Sequence, residues 1–227
     1  MREEAGKPRY PYIFYGGNVP LSPLFAGLKG DPYILEMSPE STLFDGVDPR
    51  DQVRYQRIIE EEMGGHYSWG IASYLEDRRG LLSSCPQMQR EGRFFHLGLD
   101  IIAGPGTALH APIDAVAEER GYEEGEGNYG GYVLLRHSSP RFQTFYSLYG
   151  HLELASLPTE GRSFKTGEVF ARIGDFNENG NWFYHTHLQV ITRQGYEEGF
   201  VSKGYCAAGD LPVIGNLCPS PLMLFTV

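Results

Sequence analysis

Two of the seven histidines stand two residues apart in the run Phe183-Tyr184-His185-Thr186-His187-Leu188-Gln189-Val190. Side chains of a strand alternate between faces, so His185, His187 and Gln189 share one face while Tyr184, Thr186, Leu188 and Val190 share the other. The apolar face suits a core. A lone imidazole in a sheet is more often a hydrogen-bonded, half-buried residue, but two on one face, ~7 Å apart by strand geometry, make a reactive surface.

A second run, Phe94-Phe95-His96-Leu97-Gly98-Leu99-Asp100-Ile101-Ile102, reads the same way. Phe95, Leu97, Leu99 and Ile101 alternate onto a core face and leave His96, Gly98 and Asp100 opposite. The glycine clears space above the strand. A helix would also align His96 with Asp100, but Gly98 and the Gly104-Pro105-Gly106 turn favour a strand. A surface His-Asp pair is the plain reading. Two histidine-bearing strands together offer more, because two imidazoles and one carboxylate on a β scaffold make a three-ligand zinc set with an open fourth position.

The strand Thr144 to Leu152 adds His151 beside Gly150, whereas His110 and His137, at strand ends, read as local structural residues. Further strands are expected over Tyr67 to Leu75, before a charged turn at Glu76-Asp77-Arg78-Arg79-Gly80, and over Ala111 to Glu118, Gly130 to His137 and Gly167 to Gly174. One helix is expected after Asp48-Pro49, with Asp48 as N-cap, a buried stripe of Val53, Tyr55, Ile58, Ile59 and Met63, and Gly64-Gly65 as its end.

At 227 residues, with 29 glycines, 15 prolines and 13% aromatics, the chain reads as short strands joined by tight turns. A net charge of -10 without a Lys/Arg cluster argues against nucleic acid as partner. No run of ~18 apolar residues is long enough to span a membrane. The first residues lack the apolar stretch of a secretory signal, which reads as cytoplasmic for the sequence as written and leaves the compartment open. Cys85, Cys206 and Cys218 show no Cys-x-x-Cys spacing; buried thiols are expected, with a Cys206–Cys218 disulfide as the alternative. Residues 1–65 read as an N-terminal extension with one helix, 66–195 as the β domain and 196–227 as a tail packed on it.

Taken together, His96-x-x-x-Asp100, Tyr149-Gly150-His151-Leu152 and His185-x-His187 resemble the three-part signature of lysostaphin- or LytM-type zinc endopeptidases, metallopeptidase family twenty-three. Gly106-Thr107, Ala111-Pro112, Gly167-Glu168 and Ile173-Gly174 agree with it, and the resemblance covers roughly residues 94 to 192. It implies a mainly β fold, an antiparallel sheet forming a groove or barrel-like domain. It implies that His96, Asp100 and His187 bind zinc and that His151 and His185 are catalytic. The implied reaction is hydrolysis of peptide bonds in peptidoglycan cross-links or stems by zinc-activated water with histidine assistance.

The chain departs from the family pattern at Gln189, where an acidic residue is usual, and in the loop Asn177 to Phe183, which bears on the substrate. A catalytically silent groove protein binding peptidoglycan or a protein partner is the rival. A cupin-like metal barrel would want a third ligand histidine near the first strand. The extended, aromatic segment from Tyr10 to Phe25 is expected to lie against the β domain. If it crosses the groove it restricts access, and Asn18 would then approach the metal.

Overall fold

The computed structural model describes residues 6–15, 19–125 and 127–226. Its strands are β1 (Tyr33–Leu35), β2 (Gly70–Ala72), β3 (Arg93–His96), β4 (Leu99–Ile102), β5 (Ala108–His110), β6 (Ala115–Glu123), β7 (Gly130–Ser139), β8 (Phe142–Leu152), β9 (Ser163–Phe164), β10 (Val169–Arg172), β11 (His185–Thr192) and β12 (Tyr205–Ala207). The α-helices are α1 (Gln52–Met63), α2 (Pro86–Glu91), α3 (Arg193–Glu197) and α4 (Leu211–Leu217).

Eight strands form one sheet in the order β1-β2-β4-β11-β8-β7-β6-β9, and β10 with β5 and β12 with β3 form two small ribbons. Within the large sheet only β1 and β2 run parallel. The fold is mainly β, as expected, but it is not barrel-like: β1 and β9 stay at opposite edges, so the sheet is open and mixed. No disulfide forms among the described residues, and all three thiols are buried. No helix among them is long and apolar enough to cross a membrane.

Alternation along the central strands gives the sheet two unlike faces. Leu99 and Ile101 of β4, Leu188 and Val190 of β11 and Tyr149 of β8 enter a back core. Tyr10, Ile13, Leu24 and Phe25 pack into this same core. Each large apolar side chain so buried contributes ~1.5–3 kcal/mol. The described part of the Tyr10 to Phe25 segment therefore stabilises the back of the sheet and does not cross the histidine face. Asn18 lies outside the described residues.

On the front, two smaller cores flank the histidines. One joins Tyr55 and Ile59 of α1 to Leu82, Met88, Trp182 and Phe183, and the other joins Tyr129, Phe200, Ile214 and Cys218. Helix α1 starts later than expected: Asp51, not Asp48, is its cap, accepting from the Arg54 N–H at 3.0 Å, while Asp48 accepts from the Arg50 N–H in the preceding turn. Val53 is exposed, and the buried face carries Gln52 in its place. Gln52 and Gln56 accept hydrogen bonds from the backbone N–H groups of Phe183 and Tyr184 at 3.1 and 2.8 Å, so the helix steadies the lead into β11.

Candidate metal centre

The strand register brings the chemistry-bearing residues into one row. Asp100 in β4 and Gly150 in β8 both lie opposite His187 in β11. The run from Phe94 to Ile102 is two strands rather than one, because β3 leaves to pair with β12 while β4 joins β2 and β11. The break falls at Leu97-Gly98. A Cβ on Gly98 would clash with the His187 ring, so the space that the glycine clears is taken by that ring.

Three side chains converge. His96 Nε2 lies 3.2 Å and His187 Nδ1 3.3 Å from Asp100 Oδ1, and the two ring nitrogens are 2.9 Å apart. Their outer nitrogens are fixed by acceptors: His96 Nδ1 is 3.0 Å from the Ser73 carbonyl oxygen, and His187 Nε2 is 3.1 Å from Gln189 Oε1. The Gln189 amide nitrogen donates toward the Phe200 carbonyl, which leaves its oxygen for His187. With both protons outside, each inner nitrogen presents a lone pair, and lone pairs at that separation repel unless a cation stands between them. Asp100 Oδ1 is buried and has no hydrogen-bond partner among the described residues. The metal-ligating atoms of His96, Asp100 and His187 all lie within 4.8 Å of one another, a donor set that fits a metal ion with an open position.

His151 and His185 stand beside this set. Their ring centroids are 4.3 Å apart, and His185 Nε2 is 3.7 Å from Asp100 Oδ1. His185 Nδ1 gives its proton to the Phe183 carbonyl at 2.8 Å, and His151 Nδ1 gives its own to the Asn179 carbonyl at 2.7 Å. The loop before β11 thus orients both rings, with the Asn179 side chain bonded to the Trp182 N–H and carbonyl. His151 adopts φ +62°, a left-handed conformation costly for a residue with a Cβ, and its N–H is tied to the Tyr129 carbonyl at 2.8 Å.

All five side chains are buried. Burial, aided by the Arg78 charge, pushes His96 down to about 3, and burial pushes His151 and His185 below the usual imidazole range. Burial works to raise Asp100, but His96, Arg78 and His185 outweigh it and hold the carboxyl well below its ordinary value. A narrow cleft lined by Met88, Tyr129, Trp182 and Tyr205 lies over the site and admits only a water or two.

Two partners of the centre come from residues that read in sequence as a charged turn. Arg78, 2% exposed, donates from Nη1 to Asp100 Oδ2 at 2.6 Å and from Nε to Glu76 Oε2 at 2.8 Å. Glu76 and Arg78 face inward while Asp77 and Arg79 pair on the surface, so the clue is the two-residue alternation inside Glu76-Asp77-Arg78-Arg79. His110 and His137 lie elsewhere, bonded to the Leu24 and Asp114 carbonyls.

Residues 94–198 match the model of Peptidase family M23. The chain resembles that family over this stretch. A curated relative, the peptidoglycan DD-endopeptidase ShyC of Vibrio cholerae serotype O1, is 34% identical over 79 residues, 35% of this chain and 16% of that protein. The match thus spans about a sixth of the relative's length. Among solved structures, a zinc containing peptidase from Vibrio cholerae aligns at 22% identity and a TM-score of 0.37, covering 44% of this chain and 28% of that one. The catalytic domain of lysostaphin from Staphylococcus simulans aligns at 18% identity and a TM-score of 0.39, covering 52% and 78%. The M23-like region contains His96, Asp100, His151, His185 and His187, whereas Glu76, Arg78 and Tyr205 lie outside it.

Proposed function

We propose that the chain is a zinc-dependent metalloendopeptidase that hydrolyses peptide bonds in peptidoglycan cross-links or stems. The observation that carries the reading is the orphaned Asp100 Oδ1 facing two inward imidazole lone pairs. His96 Nε2, Asp100 Oδ1 and His187 Nδ1 would hold the zinc. When bound, zinc supplies a Lewis acid that polarises a carbonyl and lowers the pKa of water.

The chain's own groups do the remaining work. With their Nδ1 protons given to backbone carbonyls, His151 and His185 each keep Nε2 as the titrating atom. That atom can take a proton from the attacking water, donate toward developing negative charge on the carbonyl oxygen and return the proton to the leaving amine. Because both rings are anchored to backbone, little reorganisation accompanies these transfers.

The narrowness of the cleft favours one second reading, a catalytically silent M23-like protein that binds peptidoglycan peptides or a protein partner. Digestion of defined muropeptides by zinc-loaded protein, followed by mass spectrometry, separates the two. The expected result is cleavage products that vanish on chelation and return with zinc. Intact muropeptides in the presence of zinc-loaded protein would reject the endopeptidase and leave the binding protein.

A further inference from the structure

We infer that Arg78, held by Glu76, is the positioning residue that fixes how Asp100 meets the metal. The inference rests on the metal reading of this same centre. A carboxylate offered to a cation can bind through one oxygen or both, and it can rotate between these modes. Arg78 removes the choice: its Nη1 takes Asp100 Oδ2 at 2.6 Å, so only Oδ1 faces His96 and His187.

The guanidinium is itself immobile. Its Nε donates to Glu76 Oε2 at 2.8 Å, the other Glu76 oxygen accepts from the Met37 N–H at 2.9 Å, and the Arg78 backbone N–H donates to the Phe94 carbonyl at 2.9 Å. Charge is also balanced, because Glu76 offsets Arg78 and the Asp100 charge stays available to the cation. Arg78 and Glu76 precede the segment that matches the family. Through the Met37 backbone, just after β1, the extension is coupled to a metal ligand by two buried side chains.

Arg78→Lys keeps the positive charge but cannot grip Asp100 and Glu76 at once. Glu76→Gln keeps the size of the brace and removes its charge. Zinc affinity, measured by competition with a chromophoric chelator, and the visible bands of the cobalt(II)-substituted full-length protein read the role directly. The expected result is zinc binding at least about tenfold weaker in Arg78→Lys, with shifted cobalt bands, and a smaller loss in Glu76→Gln. Should Arg78→Lys fold and keep wild-type zinc affinity and bands, its role is packing alone and the inference is wrong. If that variant fails to fold, unchanged affinity and bands in Glu76→Gln overturn it equally. Wild-type protein that takes up neither metal would overturn the metal site itself, whereas wild-type uptake with unaltered variants would overturn only the role of Arg78.

Discussion

The two faces of the large sheet each bury histidines, and they treat them differently. On the back, His137 of β7 is stacked on Phe145, with Nδ1 3.1 Å from the Asp114 carbonyl and Nε2 2.7 Å from the Ser147 hydroxyl. Every polar atom of that ring has a partner. On the front, each of His96, His151, His185 and His187 has one nitrogen fixed by a carbonyl or amide oxygen, and the other nitrogens of His96, His187 and His185 lie 3.2, 3.3 and 3.7 Å from an Asp100 oxygen that has no hydrogen-bond partner. Burial is the same on both faces, so burial does not mark a site; convergence of unsatisfied atoms does.

The comparison breaks most visibly at Asp100. Asp100→Ala removes the anionic member of the set, and metal analysis should find most of the zinc gone and peptide hydrolysis with it. His137→Gln, buried to the same degree, should keep its zinc. Full zinc occupancy in Asp100→Ala would mean that the front face is no more a metal centre than the back.

Within the front face a second contrast should appear between ligands and proton carriers. His151→Ala and His185→Ala should keep zinc while kcat falls by roughly a hundredfold or more, the scale of losing one such donor. His187→Ala should lose zinc and activity together. The geometry makes this split sharp, since His187 Nδ1 lies 2.9 Å from His96 Nε2 while His185 reaches Asp100 only at 3.7 Å. Loss of zinc from His185→Ala with retention in His187→Ala would reverse the pair.

The chemistry of the front face is readable in part from period-two alternation, which sets His185 with His187; His96 and Asp100 meet although their run breaks at Leu97-Gly98, which sends Phe95 and Leu97 to a front core and Leu99 and Ile101 to the back one. Gly98 is readable as a clearing, but its occupant, the His187 ring, comes from a strand far along the chain and so is not. Gln189 stands out as a departure from an acidic position, and the fold shows what the amide does there, since its oxygen fixes the His187 ring. Arg78 and Glu76 escape notice because a run of four charges reads as solvated, and only long-range pairing turns two of the four inward. Gln52 and Gln56 escape for a related reason: hydrophobic periodicity finds the apolar part of a helix face, not the polar residues that serve a neighbouring backbone.

The smallest expected effect tests the back face alone, through acid stability. Burial pushes His137 down to about 4, against the ordinary imidazole value near 6.5. A group with a depressed folded pKa makes the unfolded chain bind the extra proton first. Its contribution is therefore fully present above about pH 6.5, declines as the pH falls toward 4, and is gone below that. Over the interval from pH 6.5 to 5 the loss amounts to about 1.5 kcal/mol. His137→Gln cannot titrate, yet it retains polar atoms to face Asp114 and Ser147, so its urea-unfolding free energy should fall less on acidification than that of the wild type by about this amount. The front-face histidines titrate alike in both proteins and cancel from the difference. Parallel pH profiles would show that the folded chain protonates His137 as readily as the unfolded chain does, and the claim that burial keeps the back-face ring neutral would fail.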